Sequence, residues 1–304
     1  MKAPSADSSA WGADPTPGAQ GPLELSADDV QRISRTLLLL VAKFEQITFE
    51  TAASPPPPGS DAFRLWRGRS PEHAQDGMIT MQFANLSAFD HIRAFVSLIR
   101  TPTVRSTALA TVARGAHESL ARTWYLLGGS DDDGFLHRAI SLLRSDLRIP
   151  ENRNEPLRTR NGDAVSPAEK RQELSNELKG FDLPVPAKIE LTALVATMLD
   201  EAFEDGEGRD VYSGLSAVAH GHRHGLNNFV ITDAGREVAG LAAPRAAVAH
   251  FAATLMGAMH SCAWRFIAFY GTQPRHADLF GTAWQRAYRS LEPVTSSIWP
   301  SQQP

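Results

Sequence analysis

The chain has 304 residues, 42% of them hydrophobic, with a formal net charge of −4, enough for one large helical domain with a sizeable core. Thirty basic side chains against 34 acidic ones leave no surplus to track a long phosphate backbone, although a small local basic site stays open. The single cysteine, Cys262, excludes an intrachain disulfide and a cysteine-based zinc site and suits a reducing, cytoplasmic compartment.

Residues 1–25 are rich in Pro, Gly, Ser, Ala and Asp without periodicity and read as a disordered tail. Met1 to Trp11 carry one lysine and no apolar run, so no secretory signal is expected there. Ser26 and Asp29 form a capping box, after which Val30, Ile33, Leu37, Leu40, Phe44 and Ile47 recur at helical spacing. Pro55 to Pro58 and Gly59 break that helix, and the chain reads as a loop to about Gly77.

Helices follow over about 79–100 and 104–127, the first stopped by Thr101-Pro102 and the second by Gly128-Gly129. Ser130 and Asp131 to Asp133 open another, where carboxylates suit the positive end of the helix dipole. The polar stretch 149–166 reads as a loop. Further helices are expected over about 167–179, 187–204, 209–220, 244–270 and 275–291, with a small hairpin near 228–241. Ala246 to Tyr270 approaches membrane-spanning length, but His250, His260 and Arg265 make it a buried central helix instead. The expected fold is therefore all-α: a single bundle domain of about eight to nine helices over 26–292, with a tail over 293–304 and the helices at 104–127 and 244–270 at its centre.

Two helices carry polar stripes. Over 104–127, Leu109, Val112, Ala113, Ala116, Leu120, Trp124 and Leu127 make the surface apolar nearly all round, yet Arg114, Glu118 and Arg122 stand at i, i+4 and i+8. Buried charge is costly unless paired, so something must face this row. Over 209–220, Tyr212, Ser216 and His220 repeat the spacing, and Gly221 terminates the helix just after His220. An imidazole at the negative end of the dipole, with Glu118 opposite, would favour its protonated form. The expectation is that the two stripes face one another as an acid/base cluster: His220 the proton shuttle, Glu118 its orienter, Tyr212 and Ser216 beside them, Arg114 and Arg122 the anion-binding groups. The bland alternatives are a salt-bridge ladder and a Tyr–Ser hydrogen-bond pair that fix helix packing.

His220, His222 and His224 form His-x-His-x-His, which with Glu118, His117, Asp90 and His91 offers material for a metal site, but it leaves a helix end and lacks the Glu-x-x-His spacing of helical di-iron proteins. Asp90-His91 reads as a satisfied side-chain contact, and Cys262 as an inert core thiol. No phosphate loop, dinucleotide fingerprint or serine elbow is present, so no cofactor is expected.

The segments Arg114-Gly-Ala-His-Glu118-Ser-Leu-Ala-Arg122-Thr-Trp124-Tyr-Leu-Leu127 and Tyr212-Ser-Gly-Leu-Ser216-Ala-Val-Ala-His220-Gly221 resemble, in the same order, segments of uncharacterised all-helical actinobacterial proteins; the likeness covers about residues 79–226 and implies no activity. A more distant similarity is to the helical HEPN (higher eukaryotes and prokaryotes nucleotide-binding) domains, which implies a metal-independent ribonuclease with an Arg and a His a turn or two apart, late in the bundle. Here Arg209 is too far upstream of His220, and Arg67 with His73 falls in the expected loop. Three function classes fit: a metal-independent acid/base enzyme acting on RNA or another phosphate-bearing ligand, a metal-dependent helical enzyme using His220, His222, His224 and Glu118, and a non-catalytic binding or scaffolding protein. No membrane partner is expected, and a homodimer is compatible with all three.

Overall fold

The computed structural model of the chain describes residues 25–101, 107–128, 131–158, 162–186, 188–203, 207–232, 238–271 and 274–296. Among them the fold is almost wholly helical: α1 (Ala27–Ala52), α2 (Asp61–Trp66), α3 (Pro71–Ile99), α4 (Thr107–Leu127), α5 (Asp132–Asp146), α6 (Arg148–Asn152), α7 (Pro167–Gly180), α8 (Leu191–Ala202), α9 (Glu207–Ala219), α10 (Arg223–Leu226), α11 (Arg245–Tyr270) and α12 (Pro274–Ser296). Two antiparallel hairpins complete it, β1 (Leu157–Arg158) with β2 (Ala164–Val165) and β3 (Val230–Thr232) with β4 (Val238–Leu241). The tail expected over 1–25 falls outside the described residues except for Leu25, and so does Ser130.

The expected all-α bundle is present, with α4 and α11 at its centre. α11 is buried over most of its surface between Ala247 and Tyr270, with His250, Ala253, His260, Trp264 and Arg265 partly exposed and Ala268 exposed, and it packs on α1, α4, α8 and α12. No helix among the described residues is long and apolar enough to cross a membrane. α4 lies between α3, α8, α9 and α11. Phe44 of α1 ties the bundle together, with edge-on rings from Phe89, Phe266 and Phe280 at 5.3, 5.7 and 6.2 Å. Such edge-to-face pairs add to what burial alone contributes.

Several boundaries differ from the sequence expectation. The segment read as a loop to Gly77 contains α2 and the first two turns of α3. Ser60 caps α2 by accepting from the Phe63 amide, and Pro71 starts α3 in the first helical position, where a missing N–H costs nothing. His73 is therefore helical rather than in a loop. Residues 149–166 hold α6 and the β1–β2 ladder, too short for any periodicity to announce. α5 starts from Asp131, whose carboxylate accepts from the Gly134 amide at 2.6 Å. α12 runs through Pro293 to Ser296, where a tail was expected, because Leu291 and Val294 are buried and packing outweighs the lost backbone hydrogen bond.

The α1 capping box forms as expected, and Arg245 at the start of α11 adds a bidentate pair to Asp29, both contacts at 2.8 Å. That pairing chiefly, with help from Ser26 and against the cost of burial, pulls the Asp29 carboxyl down to about 2. A carboxyl depressed in the fold stabilises above its unfolded value near 3.8, and the contribution disappears as pH falls through about 2. Arg245→Ala strips the partner from this nearly buried carboxylate and is expected to cost about 3 kcal/mol in urea unfolding at neutral pH. The deficit should shrink below pH 3, where Asp29 in the variant becomes neutral.

Candidate functional site

The two polar stripes meet along the α4–α9 contact. Tyr212 is buried, and its hydroxyl donates to Glu118 Oε1 at 2.6 Å. Arg114 donates through Nε to the same oxygen at 2.7 Å and approaches the Tyr212 hydroxyl at 3.3 Å, its guanidinium lying 5.5 Å from the centre of the Tyr212 ring. Its Nη1 reaches His220 Nε2 at 2.5 Å. The helices run antiparallel: stepping from Tyr212 to His220 along α9 moves from Glu118 back to Arg114 along α4. The eight-residue step covers about 12 Å and the four-residue step about 6 Å. The long arginine side chain spans the difference, which is why one guanidinium touches all three partners.

Burial works against the Arg114 charge, but the hydrogen bonds to Tyr212 and Glu118 outweigh it and hold its pKa above the ordinary arginine value. Burial, and then donation to Glu118, push the Tyr212 hydroxyl up, so it stays a neutral donor. The Arg114 and Glu118 side chains are each about a quarter exposed, at 25% and 26%, and His220 is open to solvent.

His220 sits where it does because α9 ends in a Schellman turn. The His222 amide donates to Ala217 O at 2.8 Å and the Gly221 amide to Val218 O at 3.1 Å, with Gly221 at φ +70°. At the other end of α9, a Cβ on Gly208 would lie 2.2 Å from Ala196 O, so only glycine lets α9 approach α8 this closely.

The stripes do not converge as a whole. Arg122 turns to α5 and makes a bidentate pair with Asp146, at 2.9 and 2.7 Å, which chiefly raises its pKa. Each i+4 step on a straight helix drifts by about 40°, so by Arg122 the row has rotated roughly 80° from Arg114 and faces another neighbour. Ser216 is half-buried and makes no side-chain hydrogen bond among the described residues. Glu118 does not contact His220; the Arg114 guanidinium stands between them. A guanidinium can only donate, so in this contact His220 Nε2 is the acceptor.

The remaining sequence candidates separate. His117 points instead to α11, fully buried, with Nε2 at 3.2 Å from Thr254 Oγ1. His91 packs over Gly115, where an added Cβ would meet the imidazole at 2.8 Å, and the exposed Asp90 approaches Arg93 at 3.6 Å. The Cys262 thiol is buried, which pushes its pKa up, and it donates to Leu120 O at 3.3 Å. His222 and His224 stand beside His220 with ring centres 6.0 and 5.7 Å apart in succession. Among the described residues no group of three or more His, Cys, Asp or Glu side chains is placed to hold a metal ion.

Asp146 as the partner of Arg122 was not foreseen, because nothing in the α5 sequence sets it apart from other exposed acids. A second polar group also went unread. Ser70 Oγ lies 2.7 Å from His73 Nδ1, and His73 Nε2 lies 2.8 Å from Glu177 Oε2. Ser70 is buried, so this relay ties the start of α3 to α7 rather than facing a substrate. Two shallow clefts of about 520 and 530 Å3 open beside Arg64 and Asp132, away from the α4–α9 cluster.

No protein family, curated protein or solved structure matches the chain.

Proposed function

We propose that Arg114, Glu118, Tyr212 and His220 form a metal-independent acid/base site that cleaves a phosphodiester, with RNA as the substrate class. The observation that carries this reading is the guanidinium of Arg114, which is fixed by Glu118 and Tyr212 on one side and donates to a solvent-open imidazole on the other. Such an arrangement holds a base and an anion-binding group within one hydrogen bond of each other.

A phosphate reaching the site competes for Arg114 and draws Nη1 from His220, which bares Nε2 as a base. His220 then takes the proton of the ribose 2′-hydroxyl. The 2′ oxygen bonds to phosphorus, the bond from phosphorus to the 5′ oxygen breaks, and that oxygen leaves with a proton from water. The products are a 2′,3′-cyclic phosphate and a free 5′-hydroxyl, and water recovers its proton from His220. Arg114 neutralises the charge that builds on the phosphoryl oxygens. Glu118 and Tyr212 act through Arg114 as positioning residues. Arg122, already neutralised by Asp146, has no part in this step. An open surface position suits a polymer, which does not need an enclosing pocket.

The test is cleavage of unstructured RNA in the presence of a chelator. His220→Ala, with its helical circular dichroism unchanged, should lower the rate by about 100-fold or more. An unaltered rate in that variant, or no cleavage by the wild-type protein, defeats the reading.

A further inference from the structure

The chain beyond α9 displays three imidazoles in series. His220, His222 and His224 are all solvent-exposed, with ring centres 6.0 and 5.7 Å apart and tilts of only 33° and 41° between successive planes. Their presentation is built into the backbone. The Schellman turn at Gly221 fixes His222, and α10 follows at once, with the Leu226 amide bonded to His222 O at 3.1 Å. Arg223, exposed between the last two imidazoles, adds a fixed positive charge, and Arg114 anchors the first ring at Nε2. The three imidazole rings therefore stand close together at the surface, with a fixed cation among them.

Resting on the acid/base reading above, we infer that the His220–His222–His224 row with Arg223 is a stacking platform that binds single-stranded RNA and leads it to Arg114. Unpaired bases stack on histidine and arginine planes, and such contacts tolerate any sequence because every base has a π face. A duplex hides those faces, so the platform selects single strands. Few phosphates need be neutralised, which agrees with a net charge of −4: affinity comes from rings, with Arg114 and Arg223 as fixed cations beside them. The row begins at the proposed base itself, so a strand lying on His222 and His224 brings a neighbouring phosphodiester to His220.

Binding is measured by fluorescence anisotropy with a 2′-O-methylated oligouridylate, which lacks the hydroxyl consumed by cleavage, in buffer containing a chelator. The wild-type protein should bind it, and should bind a duplex of equal length more weakly. His222→Ala and His224→Ala should each weaken binding about tenfold, whereas His222→Phe, which keeps a ring without ring nitrogens, should bind as the wild type does. The platform is overturned if the wild type does not bind, if the alanine variants bind unchanged, or if His222→Phe binds as weakly as His222→Ala. Turnover of a uridine 3′-aryl phosphodiester, too short to span the row, separates the two readings. Strand binding without turnover of that ester or of unmodified RNA leaves the platform standing and removes the acid/base site. Turnover of the ester with no strand binding does the reverse.

Discussion

Between pH 8 and pH 5 the protein is expected to lose about 3 kcal/mol of folding stability, because one imidazole is sealed into the bundle and a second is largely buried there. His117 is fully buried, and burial chiefly, with the nearby His250, lowers its pKa from 6.5 to about 3. Burial lowers His250 to about 4. The Thr254 hydroxyl gives its proton to Phe251 O at 3.0 Å, so His117 Nε2 must be the donor in its contact with Thr254. The proton of the neutral ring is then on Nε2, and the buried Nδ1 is a lone pair without a hydrogen-bond partner among the described residues. Protonating it would place an unpaired charge in the core.

The sign follows from the two states. Above about 6.5 both folded and unfolded rings are neutral and the full stability is present. As pH falls below 6.5 the unfolded chain takes up protons that the folded chain refuses, and stability declines until the folded rings titrate near 4 and 3. At pH 5 a fully buried ring contributes about 2 kcal/mol to that loss, from 1.36 kcal/mol per pH unit. His250 keeps an edge at the surface, so it contributes less. Urea unfolding at both pH values measures the difference. His117→Gln should be weaker at pH 8, through imperfect packing, yet lose about 2 kcal/mol less than wild type on acidification. An equal acid loss in wild type and variant would show that His117 does not carry the effect.

The part of this architecture that was legible in the sequence is the part that periodicity and punctuation encode. The apolar spacing from Val30 to Ile47, the near-continuous apolar surface of α11 and the glycines after α4 and α9 each specify one local outcome. α2 and the start of α3 were hidden by Pro55 to Gly59, whose strong break signal masked the quieter helix starts at Ser60 and at Ser70-Pro71. At the site, the i, i+4, i+8 spacing placed Arg114 with Glu118 on one stripe and Tyr212 with His220 on another, two rows that could face one another. It did not account for the angular drift that carries Arg122 round to Asp146. Nor could spacing give the register between helices. Whether Glu118 or Arg114 meets His220 depends on how far α9 slides along α4, and the close approach of Gly208 to Ala196 helps fix that slide.

The second large effect is expected at Glu118. Its Oε1 accepts from both Tyr212 and Arg114, so Glu118→Ala leaves a guanidinium without its carboxylate and a buried phenol without its acceptor. At a quarter exposure solvent offsets part of that loss, and about 2 kcal/mol of stability should go. Glu118→Gln keeps an oxygen for Tyr212 and removes the charge, so it should cost less. Tyr212→Phe removes only the hydroxyl, for about 1 kcal/mol. Because the two residues share one oxygen, their effects should not add, and the double variant Glu118→Gln/Tyr212→Phe should be less destabilised than the sum by about 0.5 kcal/mol or more. Stability alone does not separate a packing tie from a positioning role; the kinetics do. If Glu118 acts by holding Arg114 against the incoming phosphate, Glu118→Gln should raise KM for RNA and lower kcat at temperatures where the variant is fully folded. Tyr212→Phe should move both in the same direction by a smaller factor. A tie that merely joins α4 to α9 predicts lower melting temperatures with KM and kcat unchanged in the folded fraction, and that result would reduce the cluster to architecture.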